Sequence, residues 1–569
     1  MTIHLLRKIR ARQQEPRAKH RSLQGHPRIA TRLSRWVRGY AYSEEMFFDS
    51  DSAPPDFVRR RVDGFRRLAE TFRLRLPRSM ALNETLETGL SDFAFVNTHR
   101  VPFQFQPYVQ KHLAIASAVE ETDGPRVRDI DGNWYYDLGG SYGVNLFGSE
   151  FYKTCIDRGV ERARKLGMIL GPYHPLIEDN VTRLKRISGL DEVSFHMSGT
   201  EAVMQAVRLA QYHTKRSHVV RFSGAYHGWW DRVQAGIGNP RPSPETYTLR
   251  EMHPATLRVL RTRTDIACVL VNPLQAMCPN GSPATDTALI ASDRSAVFDK
   301  DAYIRWLQDL RQVCTDRSIA LIFDEVFLGF RLALGGAQEY FGVKADLVTY
   351  GKSLGGGLPV GVLCGRADLM RRYNENRPMD ICFARGTFNS HPYVMATMNE
   401  FLRYLDEPDV RRNYQQLEEQ WNARAQELND RLEHLRLPVR VANMVSVWTT
   451  LYKVPSRYNW MFQYYLRAEG LMLSWIGTGR FIFSHDLSDK DFSEIADRFV
   501  AAAQTMQADG WWWENAALTN KSIQRRVLKE MLSVRFGRAP SDRTIDPSEA
   551  TPATCDTSSR RETGRSESW

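Results

Sequence analysis

Residues 320–365, ALIFDEVFLGFRLALGGAQEYFGVKADLVTYGKSLGGGLPVGVLCG, contain the pattern that decides the fold. The short apolar runs at 319–323, 347–349 and 360–364 lack polar alternation, which is typical of strands covered on both faces. A helical pattern occupies residues 200–216. Strands that alternate with helices predict an α/β fold, with a mostly parallel sheet flanked by helices. The other strands predicted for this sheet are 192–196, 218–222 and 266–271.

The triplet Gly351-Lys352-Ser353 resembles the end of a P-loop, a loop that binds nucleotide phosphates. A P-loop has another glycine five positions before this triplet, and Asp346 stands there instead. Lys352 is therefore either a chemically active lysine or a solvated surface lysine. The glycines around it favour the first interpretation, because glycine destabilises a fold unless tight geometry requires it.

The composition indicates a large protein with at least two lobes: 569 residues, of which 42% are hydrophobic. The seven cysteines are scattered and form no Cys-x-x-Cys pair. A reducing, cytoplasmic location is therefore predicted, without a disulfide framework or a metal site. No apolar run approaches the roughly 18 residues that a membrane span needs.

The positive charge is concentrated at the N-terminus, where residues 1–40 carry eleven Lys or Arg and one acid, Glu15. The rest of the chain is nearly balanced, so no nucleic-acid-binding surface is expected on its body. An Arg-rich, acid-poor arm fits an organelle transit peptide, a nucleic-acid or membrane arm, or a docking arm for an acidic carrier protein. We favour a solvated arm or extra helices on the surface of a dimer.

The sequence divides into five predicted segments. An amphipathic helix is predicted at 57–74 and two short strands around Asp131-Gly132-Asn133, whereas 538–569 has the composition of a disordered segment. The segments are a basic N-terminal extension (1–90), a segment that joins the lobes (91–150), a large domain (151–395), a small α+β domain (396–510) and a C-terminal extension (511–569).

Two candidate functional groups follow predicted strands. Ser198-Gly199-Thr200 opens a helix, where free N–H groups and the helix dipole attract an anion. Taken alone, this is more often an ordinary N-cap. Asp324 follows a buried strand, where a carboxylate needs a partner; Glu325, next to it, should point the other way.

An aromatic residue, Tyr226, follows another strand and can stack on a planar ring. Its neighbours Trp229 and Trp230 are expected to pack in the core or between the lobes. The anion cradle, the aromatic ring, the carboxylate of Asp324 and the amine of Lys352 are together what pyridoxal 5′-phosphate (PLP) requires.

Longer motifs resemble the class III PLP-dependent aminotransferases, most closely the glutamate-1-semialdehyde 2,1-aminomutase branch. The resemblance extends over roughly residues 100–505 and is most specific at 323–370, where it includes the 28-residue spacing from Asp324 to Lys352. It implies a fold type I PLP-dependent transferase and a homodimer with shared active sites. The motifs that carry it are MSGTEAVMQAVRLA (197–210), FSGAYHGWWD (222–231), the 322–370 block and GTFNSHPYVMAT (386–397).

The resemblance also implies a role for each matching residue. Lys352 would form a Schiff base with the cofactor and carry the substrate proton, and Asp324 would pair with the pyridinium nitrogen. Val326 and Tyr226 would contact the two ring faces, with His227 beside Tyr226. The remaining matches are Ser198, Gly199 and Thr200 for the phosphate, Gln275 for the ring hydroxyl and Thr387 for the phosphate of the neighbouring subunit.

The sequence departs from the aminomutase branch near the expected substrate. Tyr142 replaces a tryptophan of the substrate pocket, and Gly477 replaces a substrate-contacting glutamate. The family's Glu-Pro is Asn272-Pro273 here. Arg100 and Arg480 are the candidates for binding an anionic group of the substrate. The cofactor chemistry is therefore expected to be intact, whereas the aminomutase substrate does not follow.

The predicted activity is PLP-dependent amino-group transfer on a small amino acid, amine, oxo or aldehyde substrate, including carrier-bound acyl compounds. An intramolecular aminomutase, an epimerase and a decarboxylase use the same early chemistry and stay open. A non-catalytic binding protein that works through the basic arm is a remote alternative, and the presence of both Asp324 and Lys352 argues against it.

Overall fold

The N-terminal part of the chain is helical and then forms a small sheet. The computed structural model describes residues 35–99, 101–113, 115, 118–234, 238–241, 245–279, 298–473 and 480–537. The predicted amphipathic helix is present and buries Phe65, Leu68 and Phe72. The elements are α1 (Glu44–Phe48), α2 (Pro55–Arg75), α3 (Pro77–Gly89), α4 (Ser91–Thr98), α5 (Gln106–His112), β1 (Val119–Asp123), β2 (Arg126–Asp129) and β3 (Trp134–Asp137).

All six predicted strands of the large domain are present, with ends that differ by up to two residues. The strand predicted at 319–323 lies one residue later, so Asp324 is its last residue. The elements are α6 (Ser149–Ala163), α7 (Leu176–Ser188), β4 (Glu192–His196), α8 (Gly199–Thr214), β5 (His218–Phe222), β6 (Thr246–Leu249), α9 (Pro254–Thr262), β7 (Ile266–Val271), α10 (Lys300–Asp316), β8 (Ala320–Asp324), α11 (Gly336–Phe341), β9 (Leu347–Gly351), β10 (Gly361–Gly365), α12 (Ala367–Met370), β11 (Tyr373–Asn374) and β12 (Arg377–Ile381).

The central sheet has the strand order β4-β10-β9-β8-β7-β5-β6. The strands from β9 to β6 in this order pair in parallel, and β10 is antiparallel to both β9 and β4. Every residue of β7, β8 and β9 is buried, as expected for a sheet covered on both faces. The α/β prediction is confirmed, and the carboxyl ends of the parallel strands meet at one edge.

A second group of helices and strands follows the large domain. Its three-stranded antiparallel sheet has the order β13-β14-β16, and β15 extends the N-terminal sheet by pairing in parallel with β3. The elements are α13 (Pro392–Tyr404), α14 (Pro408–His434), β13 (Val439–Met444), β14 (Val447–Tyr452), α15 (Phe462–Ala468), β15 (Leu471–Met472), β16 (Arg480–Ile482) and α16 (Asp489–Ala508).

The described parts of the two terminal extensions pack together against this second group. Helix α17 (Asn520–Arg535) carries Glu530, which pairs with Arg457 at 2.8 Å and accepts hydrogen bonds from the hydroxyls of Tyr40 and Tyr42. Both members of the ion pair are buried. The described parts of the extensions therefore belong to the folded body of the chain.

Several expectations lie outside the described residues. Residues 1–34, most of the basic arm, and 538–569, the segment predicted to be disordered, are among them. In the part of the chain that the structure describes, no helix is long and apolar enough to cross a membrane. No disulfide bond joins any two of the six described cysteines.

Candidate active site

A cavity of about 460 Å³ opens at the edge where the parallel strands end. It lies between the carboxyl ends of β7 and β8, the residues that follow β9, and the N-terminus of α8. Ten of the predicted site residues line it: Ser198, Gly199, Thr200, Tyr226, His227, Gln275, Asp324, Val326, Lys352 and Arg480.

Asp324 is buried and held by three donors. Its Oδ2 lies 2.8 Å from His227 Nδ1. Its Oδ1 accepts hydrogen bonds of 3.2 Å from the Thr349 hydroxyl and the Val326 amide. Thr349 pairs with Asp324 across the parallel strands β8 and β9. The carboxylate is therefore fixed in orientation and faces the cavity as an anionic hydrogen-bond acceptor.

The adjacent carboxyl group, Glu325, points away from this cavity as predicted. It accepts hydrogen bonds from the amides of Ala337 (2.6 Å) and Gln338 (3.2 Å) at the start of α11. Burial raises its pKa to about 8, although these amides oppose the shift. Glu325 thus belongs to the packing of the large domain.

Lys352 begins a 3₁₀ turn directly after β9, and its backbone has a positive φ of 48°. A positive φ is uncommon for a residue other than glycine and is often found at functional sites. Its ammonium lies 5.6 Å from the ring centre of Phe327. Burial lowers the pKa of Lys352, the Asp324 carboxylate opposes this shift and the Arg331 guanidinium adds to it.

Arg331 is a part of the site that sequence reasoning missed. It is buried, and it donates hydrogen bonds to the carbonyls of Phe483 (2.7 Å), Asn145 (3.0 Å) and Gly143 (3.3 Å). Its guanidinium lies 6.0 Å from the Phe327 ring, which Lys352 also approaches. Arg331 therefore joins three chain segments and places a positive charge near the lysine. An arginine inside the apolar run 326–334 was the available signal.

The turn before α8 is an anion cradle in form. Ser198 is the N-cap, and its Oγ accepts a hydrogen bond of 3.3 Å from the Glu201 amide. A Cβ atom on Gly199 would lie 2.5 Å from Val326 Cγ1, so only glycine fits. The first N–H groups of α8 have no acceptor within the helix and can bind an anion.

Asn272, which replaces the family's glutamate, ties two cavity segments together. Its side chain donates to the Tyr226 carbonyl at 3.0 Å and accepts from the Leu274 amide at 3.2 Å. Gln275 donates to the Gly224 carbonyl at 3.2 Å. Among the described residues, Gln275 Oε1 and His227 Nε2 are buried polar atoms without a hydrogen-bond partner. Both residues line the cavity.

The glycines after Lys352 mainly allow close packing against two helices. Of Gly355, Gly356 and Gly357, only Gly357 lines the cavity. A Cβ on Gly356 would lie under 3.0 Å from the Thr397 carbonyl, and one on Gly357 would meet Ile156 at 2.9 Å. Close packing against α13 and α6 therefore requires them, more than space for the cofactor.

Tyr142 is exposed and does not line the cavity. Thr387, which was predicted to reach the phosphate of the neighbouring subunit, is exposed in this copy. Arg100 and Gly477 lie outside the described residues. The expectation that Trp229 packs internally is wrong, since its side chain is 72% exposed.

The comparison with protein-family models matches residues 108–503 to the aminotransferase class-III family. The chain belongs to the class III aminotransferases. It is similar to a glutamate-1-semialdehyde 2,1-aminomutase of Alkaliphilus oremlandii, with 34% identity over 51% of this chain and 66% of that protein. The chain thus spans just under two thirds of this relative.

Solved structures of two transaminases show the same fold. A β-phenylalanine aminotransferase from Variovorax paradoxus superposes with a TM-score of 0.61 and 25% identity, over 80% of this chain and 98% of that one. A transaminase with PLP bound gives a TM-score of 0.63 at 23% identity, over 76% and 99% of the two chains. The predicted fold type I architecture is confirmed, and PLP is the cofactor of this family.

The cavity of this class III aminotransferase fits PLP. The α8 N-terminus suits the phosphate, and the cavity walls at Val326 and Tyr226 suit a flat ring. Asp324 suits a protonated ring nitrogen and Lys352 an aldehyde. The unpartnered atoms of His227 and Gln275 leave polar capacity for the same ligand. No group of three His, Cys, Asp or Glu among the described residues is arranged to hold a metal ion.

Proposed function

We propose that the chain catalyses PLP-dependent amino-group transfer on a small amino acid, amine, oxo or aldehyde substrate. The observation that supports this most is the position of Lys352 and Asp324 on one cavity with the α8 N-terminus. When bound, the cofactor supplies an electron-withdrawing ring that acidifies the Cα–H bond of an amine substrate.

Lys352 is proposed as the covalent anchor and the proton carrier. Burial lowers the pKa of its ammonium, so a larger fraction of the amine is neutral near pH 7. A neutral Nζ can take a proton from the substrate carbon and return it at another atom. Phe327 and the buried residues of the cavity limit the access of water to the proton that Lys352 transfers.

Asp324 is proposed to keep the ring nitrogen protonated. His227 and Thr349 hold the carboxylate in one orientation, so little reorganisation is needed when charge moves in the ring. Val326 and Tyr226 would contact the two ring faces, and Ser198-Gly199-Thr200 would bind the phosphate. Gln275 would contact the ring hydroxyl.

Arg480 supports an anionic substrate group. It begins β16, lines the cavity and adds a positive charge to a wall that has Asn272 in place of the family's acid. Arg100 and Tyr142 stay proposals for the substrate side. We infer a substrate with a carboxylate or a comparable anion next to its reacting carbon.

A second candidate function is an intramolecular aminomutase, favoured by the name of the Alkaliphilus oremlandii relative. An external amino acceptor distinguishes the two, because only transamination needs one. Purified protein is incubated with amino donors in the presence and absence of an oxo acid. Turnover that depends on the oxo acid supports transamination, and conversion without it contradicts simple transamination.

A homodimer with shared sites completes the proposal. Large apolar side chains stay exposed in one copy, including Trp229 (72%) and Met379 (93%), which is typical of a protein interface. Thr387 would reach the phosphate of the partner. Co-expressed Lys352→Ala and Thr387→Val chains should then form mixed dimers with one intact site. Failure to recover any activity or tight cofactor binding in the mixture would contradict site sharing.

A further inference from the structure

Helix α17 presents one buried face and one exposed face with an unusual composition. Ile523, Val527, Glu530 and Val534 are buried. On the opposite side, Leu528, Leu532 and Phe536 are 56%, 36% and 75% exposed. The spacing of four residues aligns these three apolar side chains along the helix. Exposed basic residues flank them, and together they form what is called here the α17 face: Lys521, Arg525, Leu528, Lys529, Leu532 and Phe536.

The α17 face has no negative charge of its own. Glu530 is the only acid in the fully described helix α17, and it is buried beside Arg457. Within the described chain, no acid lies within ion-pair distance of Lys521, Arg525 or Lys529. No described carboxylate therefore neutralises these three cations, which can attract an anionic ligand.

The chain's own basic arm is a poor cover for this face. Trp36, near the first described residue, contacts the Phe536 ring at 6.4 Å between centroids, so the described chain begins beside the α17 face. Residues 1–34, which precede it in the sequence, contain nine Lys or Arg and one acid. Like charges repel, and the same repulsion opposes the pairing of two α17 faces in a dimer.

We propose that the α17 face binds the surface of a membrane that contains anionic lipids. Basic side chains on a helix are attracted to anionic headgroups, while leucine and phenylalanine enter the boundary of the acyl region. The α17 face carries exposed apolar and basic residues side by side, which suits a deformable lipid interface. Long Lys and Arg side chains can follow the apolar residues inward and keep their charges at the phosphates.

The test uses the full-length protein with its cofactor bound. Co-sedimentation is measured with vesicles of phosphatidylcholine and phosphatidylserine in equal parts, and with phosphatidylcholine alone. Binding to the anionic vesicles only is expected, and it should weaken as salt is added. Leu528→Ser with Leu532→Ser, and separately Lys521→Gln with Arg525→Gln and Lys529→Gln, should each reduce the bound fraction at least ~10-fold.

The matched control is Leu74→Ser with Leu82→Ser, which removes two other exposed leucines of the extension. The control should bind like the unmodified protein. Equal binding by all variants would assign the interaction to the basic arm and overturn the proposal. Equal binding to uncharged vesicles would also overturn it. No vesicle binding would overturn it too, and would leave an acidic protein as the partner to seek. Cofactor absorbance and turnover without lipid should be unchanged, so failure here is distinct from failure of the proposed activity.

Discussion

At the residue scale, the carboxylate of Asp324 is the group that the site holds in place most firmly. Replacement by asparagine keeps the size of the side chain and removes the charge. Removing one partner of a buried charge pair costs about 3–5 kcal/mol, so Asp324→Asn should reduce turnover roughly 150- to 5000-fold. Glu325→Gln is the matched control and should change turnover little, because its side chain faces α11. Equal steady-state rates for the two variants would contradict the role of Asp324.

Arg331 gives a prediction about pH. The Arg331 guanidinium is one cause of the lowered pKa of Lys352. Replacing Arg331 therefore makes the charged form of Lys352 more favourable and raises the pKa of Lys352. In Arg331→Met, chemical labelling of Lys352 in the cofactor-free protein should require a higher pH, as measured by peptide mass spectrometry. Arg424→Met removes a buried arginine that bonds to Asp489 and Leu487, and serves as the control. Identical labelling profiles in both variants would show that Arg331 has no electrostatic effect.

At the scale of elements, the junction of β4 and α8 depends on Gly199. A Cβ atom there would push Val326 and the first turn of α8 apart. Overpacking of this kind costs on the order of 1–3 kcal/mol, so Gly199→Ala should weaken cofactor binding about tenfold or more. Gly89→Ala, whose Cβ meets nothing within 4 Å, is the control. Cofactor titration followed by absorbance tests both, and unchanged affinity in Gly199→Ala would contradict the phosphate assignment.

The sequence predicted the strands and the ligand edge well, because apolar runs and strand–helix alternation report them directly. The partners of Asp324 were not all predictable. Thr349 became a donor through the register of β8 and β9, and His227 through a contact 97 residues away. Sequence periodicity contains neither the register nor such distant contacts. The helices that the glycines after Lys352 contact could not be predicted for the same reason, since α13 and α6 are distant in sequence.

At the scale of the whole molecule, the described parts of the terminal extensions, residues 35–90 and 511–537, are part of the folded body. Burial alone would raise the pKa of Glu530, but its hydrogen bond to Arg457 and the charge of that arginine lower it. The Glu530–Arg457 pair therefore stabilises the fold at a pH above the ordinary glutamate pKa. This stabilisation is lost as the pH falls through the lower pKa that Glu530 has in the folded protein.

Glu530→Ala leaves Arg457 buried without its carboxylate. It should lower the free energy of unfolding at pH 7 by about 3–5 kcal/mol. Asp497→Ala, which removes an exposed partner of Arg431, should cost no more than about 1 kcal/mol. Urea unfolding measures both changes. Similar small losses would show that the extensions are attached loosely.

The most direct test of the central claim is borohydride reduction of the protein with its cofactor bound, followed by peptide mass spectrometry. The account predicts that the cofactor becomes fixed to the peptide that contains Lys352, and that Lys352→Ala loses this labelling together with turnover. Unchanged labelling in Lys352→Ala, or a cofactor fixed to a different lysine, would contradict the assignment of Lys352.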